Sequence, residues 1–183
     1  MKTKSILLAT SGATIDGRTI DAEMLQQMAD GYDPKTYGAR VNLEHLRGLS
    51  GDGPFRAFGD VLELSTSEVD VNIHGKTEKR TGLFGVLDLT DDAVELNKRG
   101  QKVYSSVEIE PNFAGSGKAY LAGVALTDSP ASLATEKMEF KRTRPGNLCV
   151  PADDADQAFA IEFAEAAGNP EAEDGLVAKF GAM

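Results

Sequence analysis

Residues 102–110 alternate without a break. Val103, Ser105, Val107 and Ile109 fall on one side, and Lys102, Tyr104, Ser106, Glu108 and Glu110 on the other. A repeat of two marks a half-buried β-strand, because successive side chains leave a strand on opposite faces. The chain must therefore supply a sheet for this segment to join and a core for its apolar side to cover. The same parity separates two adjacent hydroxyls: Ser105 is directed to the core, and Ser106 to solvent or a cleft. A hydroxyl on the open face of a rigid strand suits a nucleophile. It equally suits an ordinary solvated strand residue.

The flanking sequence offers further strands. Residues 5–9 read as a short first or edge strand, and 59–64 and 69–74 as two strands joined by a short turn. A polar, charged turn is expected over 75–82, a strand over 83–89, and a strand rich in small residues over 118–126. Residues 39–46 read as a strand with Val41, Leu43 and His45 on one side, although Leu43, Leu46 and Leu49 also carry helical spacing. Two helices are expected. Asp21 caps one that runs to about Asp30, with Met24, Leu25 and Met28 on its apolar face. Thr90-Asp91-Asp92 caps a shorter one ending at Lys98-Arg99-Gly100, with acids and bases placed to suit the helix dipole. Asp16-Gly17 and Asp33-Pro34 are turn signals. Many short strands and few helices predict a mostly β, α+β domain. So few strands protect their edges best by closing, or nearly closing, into a small barrel.

Composition divides the chain further. Residues 1–140 form the expected domain, 141–152 a linker with a basic start, and 153–183 an acidic tail. The tail opens with an Ala-rich candidate helix at 153–167, carrying Phe159, Phe163 and Ala166 on one stripe. Of the net charge of −10, most lies after residue 150, where eight acids face one base. That balance disfavours nucleic acid as a partner. The tail helix suits docking or self-association better than membrane binding. No run approaches the roughly 20 apolar residues of a membrane span. Cys149 is the only cysteine, which precludes an internal disulfide and a Cys-based metal site and fits a reducing compartment. The Gly-rich loop at 48–54 lacks the Gly-Lys-Ser/Thr of a phosphate loop.

The chain has only two histidines, His45 and His74. A serine nucleophile needs a general base, since a free hydroxyl is a poor nucleophile near neutral pH. His45, beside apolar residues, is the better candidate. On an apolar face a histidine is also commonly just a satisfied core residue. A third group must hold the imidazole tautomer and balance its charge. Glu44 is poorly placed if 41–46 is a strand, because adjacent side chains diverge. Asp16, on a Gly-containing turn, is sterically free to reach in. Residues 115–117 either offer N–H donors to an oxyanion or form only a turn. Two histidines without carboxylates at ligand spacing make no metal site.

Five segments occur together in order: Asp16-Gly17-Arg18, Tyr32-Asp33-Pro34, Asn42-Leu43-Glu44-His45-Leu46-Arg47-Gly48, residues 101–113, and residues 123–133. Over about residues 5–140 the chain thereby resembles the capsid scaffolding proteins of tailed phages that carry an N-terminal serine protease, the GPO-type family. That family is similar to the herpesvirus assembly proteases, which implies a small β-barrel flanked by helices. The resemblance implies a maturation endopeptidase acting inside the prohead in the host cytoplasm. Its substrates would be the capsid, scaffold and portal precursors and itself, and it would need no cofactor. The implied triad is Asp16, His45 and Ser106, with Asp16 orienting His45. The herpesvirus use of a second histidine leaves His74 as a rival to Asp16. A full-length member continues into a long helical scaffold, so this chain is expected to be a truncated or processed form. The tail, tethered near the site, is expected to serve as substrate, with Ala166, Ala167 and Ala182 suited to a narrow pocket. A homodimer stands among the expected partners. The alternative is a scaffolding module that binds capsid protein with its triad idle.

Overall fold

The computed structural model describes residues 1–140. The expected linker, tail helix and tail cleavage fall on residues 141–183 and lie outside the described residues. The elements run β1 (Ile6–Thr10), β2 (Gly12–Ala13), β3 (Thr19–Ile20), α1 (Ala22–Gly31), α2 (Pro34–Tyr37) and β4 (Arg40–Leu43). Then follow β5 (Gly59–Ile73), β6 (Lys76–Leu89), α3 (Asp91–Lys98), β7 (Tyr104–Glu110) and β8 (Tyr120–Thr127). The class is α+β and mostly strand. One six-stranded sheet has the order β1-β6-β5-β4-β8-β7, and β2 and β3 form a separate hairpin. Neighbouring strands are antiparallel except for the β4–β8 pair, which is parallel.

The sheet curls until its edge strands β1 and β7 lie against each other. No hydrogen-bond ladder joins them, so the barrel stays open at this seam. The segment after β8 covers it. Glu136 N donates to Leu7 O at 3.2 Å, and Met138 N to Val103 O at 2.8 Å. The Asn97 side chain clamps the end of this strap, donating to Met138 O (2.7 Å) and accepting from Phe140 N (3.1 Å). An irregular strap thus shields the edge of β1, which full closure would otherwise have removed.

Beneath the sheet lies one apolar cluster that includes Leu8, Leu25, Met28, Val41, Leu87, Val124 and Leu126. Helix α1 inserts Leu25 and Met28 fully, each burial contributing about 1.5–3 kcal/mol. Asp21 occupies the N-cap of α1 without a side-chain capping bond, whereas Thr90 does cap α3, accepting from Ala93 N.

Three expectations are corrected. Residues 59–73 form one strand, and most of 75–82 is strand as well. The hairpin reverses at His74 and Gly75, whose φ values of 51° and 80° suit a tight turn between twisted strands. In the distal ribbon β6 is polar over residues 76–81, while β5 keeps Val69, Val71 and Ile73 on one face and has no second neighbour there. Lys79 Nζ bridges Glu68 (2.8 Å) and Asp70 (3.1 Å) across the ladder. At Asp33-Pro34 the chain forms the short helix α2, with Asp33 accepting from Lys35 N and Pro34 at the first position. Finally, β4 stops at Leu43, and His45 belongs to the turn that follows.

Candidate active site

The site is laid out across β8, the middle strand of the β4-β8-β7 trio. Register places Asn42, Ala125 and Ser106 in one row, and Arg40, Gly123 and Glu108 in a parallel row two residues away. Residues opposite one another on paired strands share a face. Ser106 and Glu108 therefore project from the same side of β7 as Asn42 does from β4. The small side chains of β8 at these positions leave room between them. Gly123 marks the tightest point: a Cβ there would collide with the Glu108 carboxylate and the Arg47 guanidinium.

Both serines are buried, and Val107 and Ile109, expected to face the core with Ser105, are only half-buried. Ser105 is fully buried on the core side, where its hydroxyl finds no hydrogen-bond partner. Ser106 is 5% exposed and lines a cleft of about 460 Å³. His45, Val107, Glu108 and Ile109 line the same cleft. Its other wall comes from Thr14 and Arg18 of the β2–β3 connection, Ile20 and Met24, with Ala131 and Ser132 completing it.

His45 reaches this cleft through a strained turn. Glu44 and His45 have φ values of 49° and 62°, and Leu46 N closes the turn on Leu43 O at 2.8 Å. Two consecutive non-glycine residues in the left-handed region cost about 1–2 kcal/mol each. Contacts of Glu44 offset this cost. Its N–H donates to Leu126 O (3.1 Å), and its carboxylate accepts from Lys102 Nζ (2.7 Å) and Thr127 Oγ1 (2.8 Å). Lys102 is fixed in turn by Asp128 at 3.0 Å. Partial burial pushes the Glu44 carboxyl upward, but the Lys102 and Thr127 hydrogen bonds outweigh it and hold the group below its ordinary value. The end of β4 is thereby fastened to the end of β8, and the turn carries His45 toward β7.

The imidazole meets a carboxylate there. His45 Nδ1 lies 3.0 Å from Glu108 Oε1, which also accepts from Asn42 Nδ2 at 2.7 Å. Arg47 donates to Oε2 of the same carboxylate. Glu108 is thus held by three residues from β4 and the turn after it.

Asp16 has a different setting. Its Oδ2 accepts from Arg18 Nε (2.9 Å) and a terminal Arg18 nitrogen (2.5 Å), and its Oδ1 from Thr14 Oγ1 (2.5 Å). The Arg18 hydrogen bonds, with that of Thr14, hold its carboxyl well below the usual carboxylate range. Arg18 and Thr14 line the cleft, but Asp16 does not. The structure thus brings His45 and Ser106 to one cleft and joins His45 to Glu108 rather than to Asp16. His74 sits at the β5–β6 turn, outside the cleft lining. The N–H groups of Gly115 and Gly117 bond to Asn112 within their own loop, of which Pro111 lines the cleft but neither glycine does.

Sequence reasoning passed over Glu108, Asn42, Arg47 and Gly123. Two signals pointed to them: Glu108 shares the strand face of Ser106, and Asn42 and Arg47 flank His45 within one motif.

The chain belongs to the GPO serine peptidase N-terminal domain family, whose model matches residues 3–143 and so includes every residue of this cleft. Among curated proteins it is similar to the capsid assembly scaffolding protein of Escherichia phage P2, 48% identical over 144 residues. That alignment covers 79% of this chain and 50% of the relative, so the chain spans about half the length of the curated relative it matches. No solved structure matches the chain significantly.

Proposed function

We propose that this chain is a serine endopeptidase of phage capsid maturation. The observation that carries the reading is that Ser106 and His45, far apart in sequence, line one cleft in a member of a serine peptidase family. His45 Nε2 takes the Ser106 proton as Oγ attacks the peptide carbonyl carbon. His45 then returns that proton to the departing amine as the C–N bond breaks, leaving an acyl-enzyme. Water, deprotonated by His45, attacks the acyl carbon, and the C–Oγ bond breaks as His45 gives that proton to Oγ, restoring the serine and releasing the carboxyl product.

The resemblance gives Asp16 the orienting role. In the structure its carboxylate is bonded to Arg18 and Thr14 and not to His45. The substrates proposed are capsid, scaffold and portal precursors and the chain's own tail, met inside the prohead. A homodimer is proposed as its assembly. A second reading rests on the name of the phage P2 relative: a scaffolding module that binds capsid protein without cleaving it.

A fluorophosphonate probe separates the two. The peptidase reading expects covalent labelling of folded protein at Ser106, abolished in Ser106→Ala without loss of the fold. Absence of labelling, with capsid-protein binding intact, selects the scaffolding module. Proteolysis that survives Ser106→Ala sinks the nucleophile assignment.

A further inference from the structure

Glu108 lies two residues beyond Ser106 on the same face of β7, and its side chain is only 17% exposed. Three polar side chains converge on its carboxylate. Asn42 and Arg47 use part of its acceptor capacity and fix its plane, while Oε1 meets the imidazole of His45. A clamp that merely tied β7 to the turn after β4 would be indifferent to which ring nitrogen it met. Here the contact falls on Nδ1. An ionised carboxylate can only accept, so a neutral imidazole in this contact carries its proton on Nδ1 and keeps the lone pair on Nε2. That is the tautomer a base needs in order to take a serine proton through Nε2.

We infer that Glu108 is the positioning residue for His45. It accepts the Nδ1–H, selects the tautomer with a basic Nε2, and balances the imidazolium that forms when Ser106 gives up its proton. The proton passes from Oγ to Nε2 and does not travel on to the carboxylate. This inference rests on the peptidase reading of Ser106 and His45, and it moves to Glu108 the role that the resemblance implies for Asp16.

Two measurements on the 183-residue chain test it. The first is the second-order rate of fluorophosphonate reaction at Ser106. Glu108→Gln is expected to lower it by about 10²–10⁴-fold, as when a triad acid is replaced by its amide. Glu108→Asp, which keeps the charge at shorter reach, is expected to recover part of the loss, and Asp16→Asn to lose less than Glu108→Gln. The second is ¹⁵N NMR of the His45 ring in Ser106→Ala protein, which reports the tautomer without any need for activity. The Nδ1–H form is expected to dominate. It should give way to the Nε2–H form when Glu108→Ala is added, and persist when Asp16→Asn is added instead. A tautomer unmoved by Glu108→Ala, or a Glu108→Gln rate within threefold of the unaltered chain, overturns the inference. If the unaltered chain does not react with the probe, it is the peptidase reading that fails, and the tautomer still decides whether Glu108 sets His45.

Discussion

Two carboxylates stand beside the cleft, and the chain holds them in opposite ways. Asp16 is tied to residues two positions away on either side, Thr14 and Arg18, within one small hairpin. Its side chain is 45% exposed. Glu108 is tied across the sheet, through Asn42, His45 and Arg47, to a strand and turn more than 60 residues earlier. A local pair of this kind forms wherever the hairpin forms and carries little information about the rest of the fold. The long-range cluster exists only when β4, β8 and β7 are in register, so it fixes His45 relative to Ser106. Exposed pairs are screened and worth little, whereas partly shielded, multiply bonded carboxylates hold geometry.

Apart from replacing Glu108 itself, the largest effect in this comparison should come from a residue with no side chain. Gly123→Ala sets a methyl group against the Glu108 carboxylate and the Arg47 guanidinium. Displacing a positioning group by about 1 Å can cost about 10²-fold in rate. The variant is therefore expected to lose fluorophosphonate reactivity on that order with little loss of stability, because the atoms it displaces are the far ends of flexible side chains. A crystal structure of Gly123→Ala with Glu108 unmoved, or a reaction rate equal to that of the unaltered chain, would break the link between the β8 floor and the site.

A smaller effect is expected at the turn itself. The Glu44 carboxyl lies below its ordinary value of 4.5 in the folded chain. A depressed carboxylate contributes stability that is fully present above the unfolded pKa and lost as pH falls through the folded one. Asp128, also depressed despite the opposing pull of burial, acts in the same direction. Glu44→Gln is expected to cost about 0.5–1 kcal/mol at neutral pH, discounted because the side chain is 40% exposed. It should also flatten the fall in stability below pH 4.5, read by urea unfolding over a pH series. An acid limb as steep as that of the unaltered chain would show that Glu44 does not hold the turn.

The two regions were also unequally legible in the sequence. The parity of residues 102–110 separated Ser105 from Ser106, because alternation is a local property that burial of one face enforces. The same parity put Glu108 beside Ser106. Its meeting with His45 was hidden because β4 was read through residue 46. The positive φ of Glu44 and His45 has no sequence mark of the Asn-Gly kind, since the turn is paid for by distant groups, Lys102 and Thr127. The Asp16 turn was easy to read because Asp16-Gly17 announces it. The long β5–β6 ribbon misled for the converse reason: residues 76–81 of β6 carry no apolar side chain, and the polar run looked like a turn.

The smallest expected change sharpens the comparison most. Asp16→Asn removes one charge from an exposed pair, while the turn keeps its backbone ties, Thr14 N to Arg18 O and Ile15 N to Ala131 O, both 2.9 Å. The urea midpoint is expected to stay within measurement scatter of the unaltered chain, at low salt and at high salt alike. The informative quantity is reactivity at Ser106. If Asp16→Asn falls as far as Glu108→Gln, then the β2–β3 turn must bring Asp16 to His45 in the reacting enzyme. In that case Asp16 takes the role its place in the family motif implies, and Glu108 is left as a clamp between strands. If Glu108→Gln falls much further, the acid that serves His45 is the one fixed by the sheet, and Asp16 serves to hold Arg18 at the rim of the cleft.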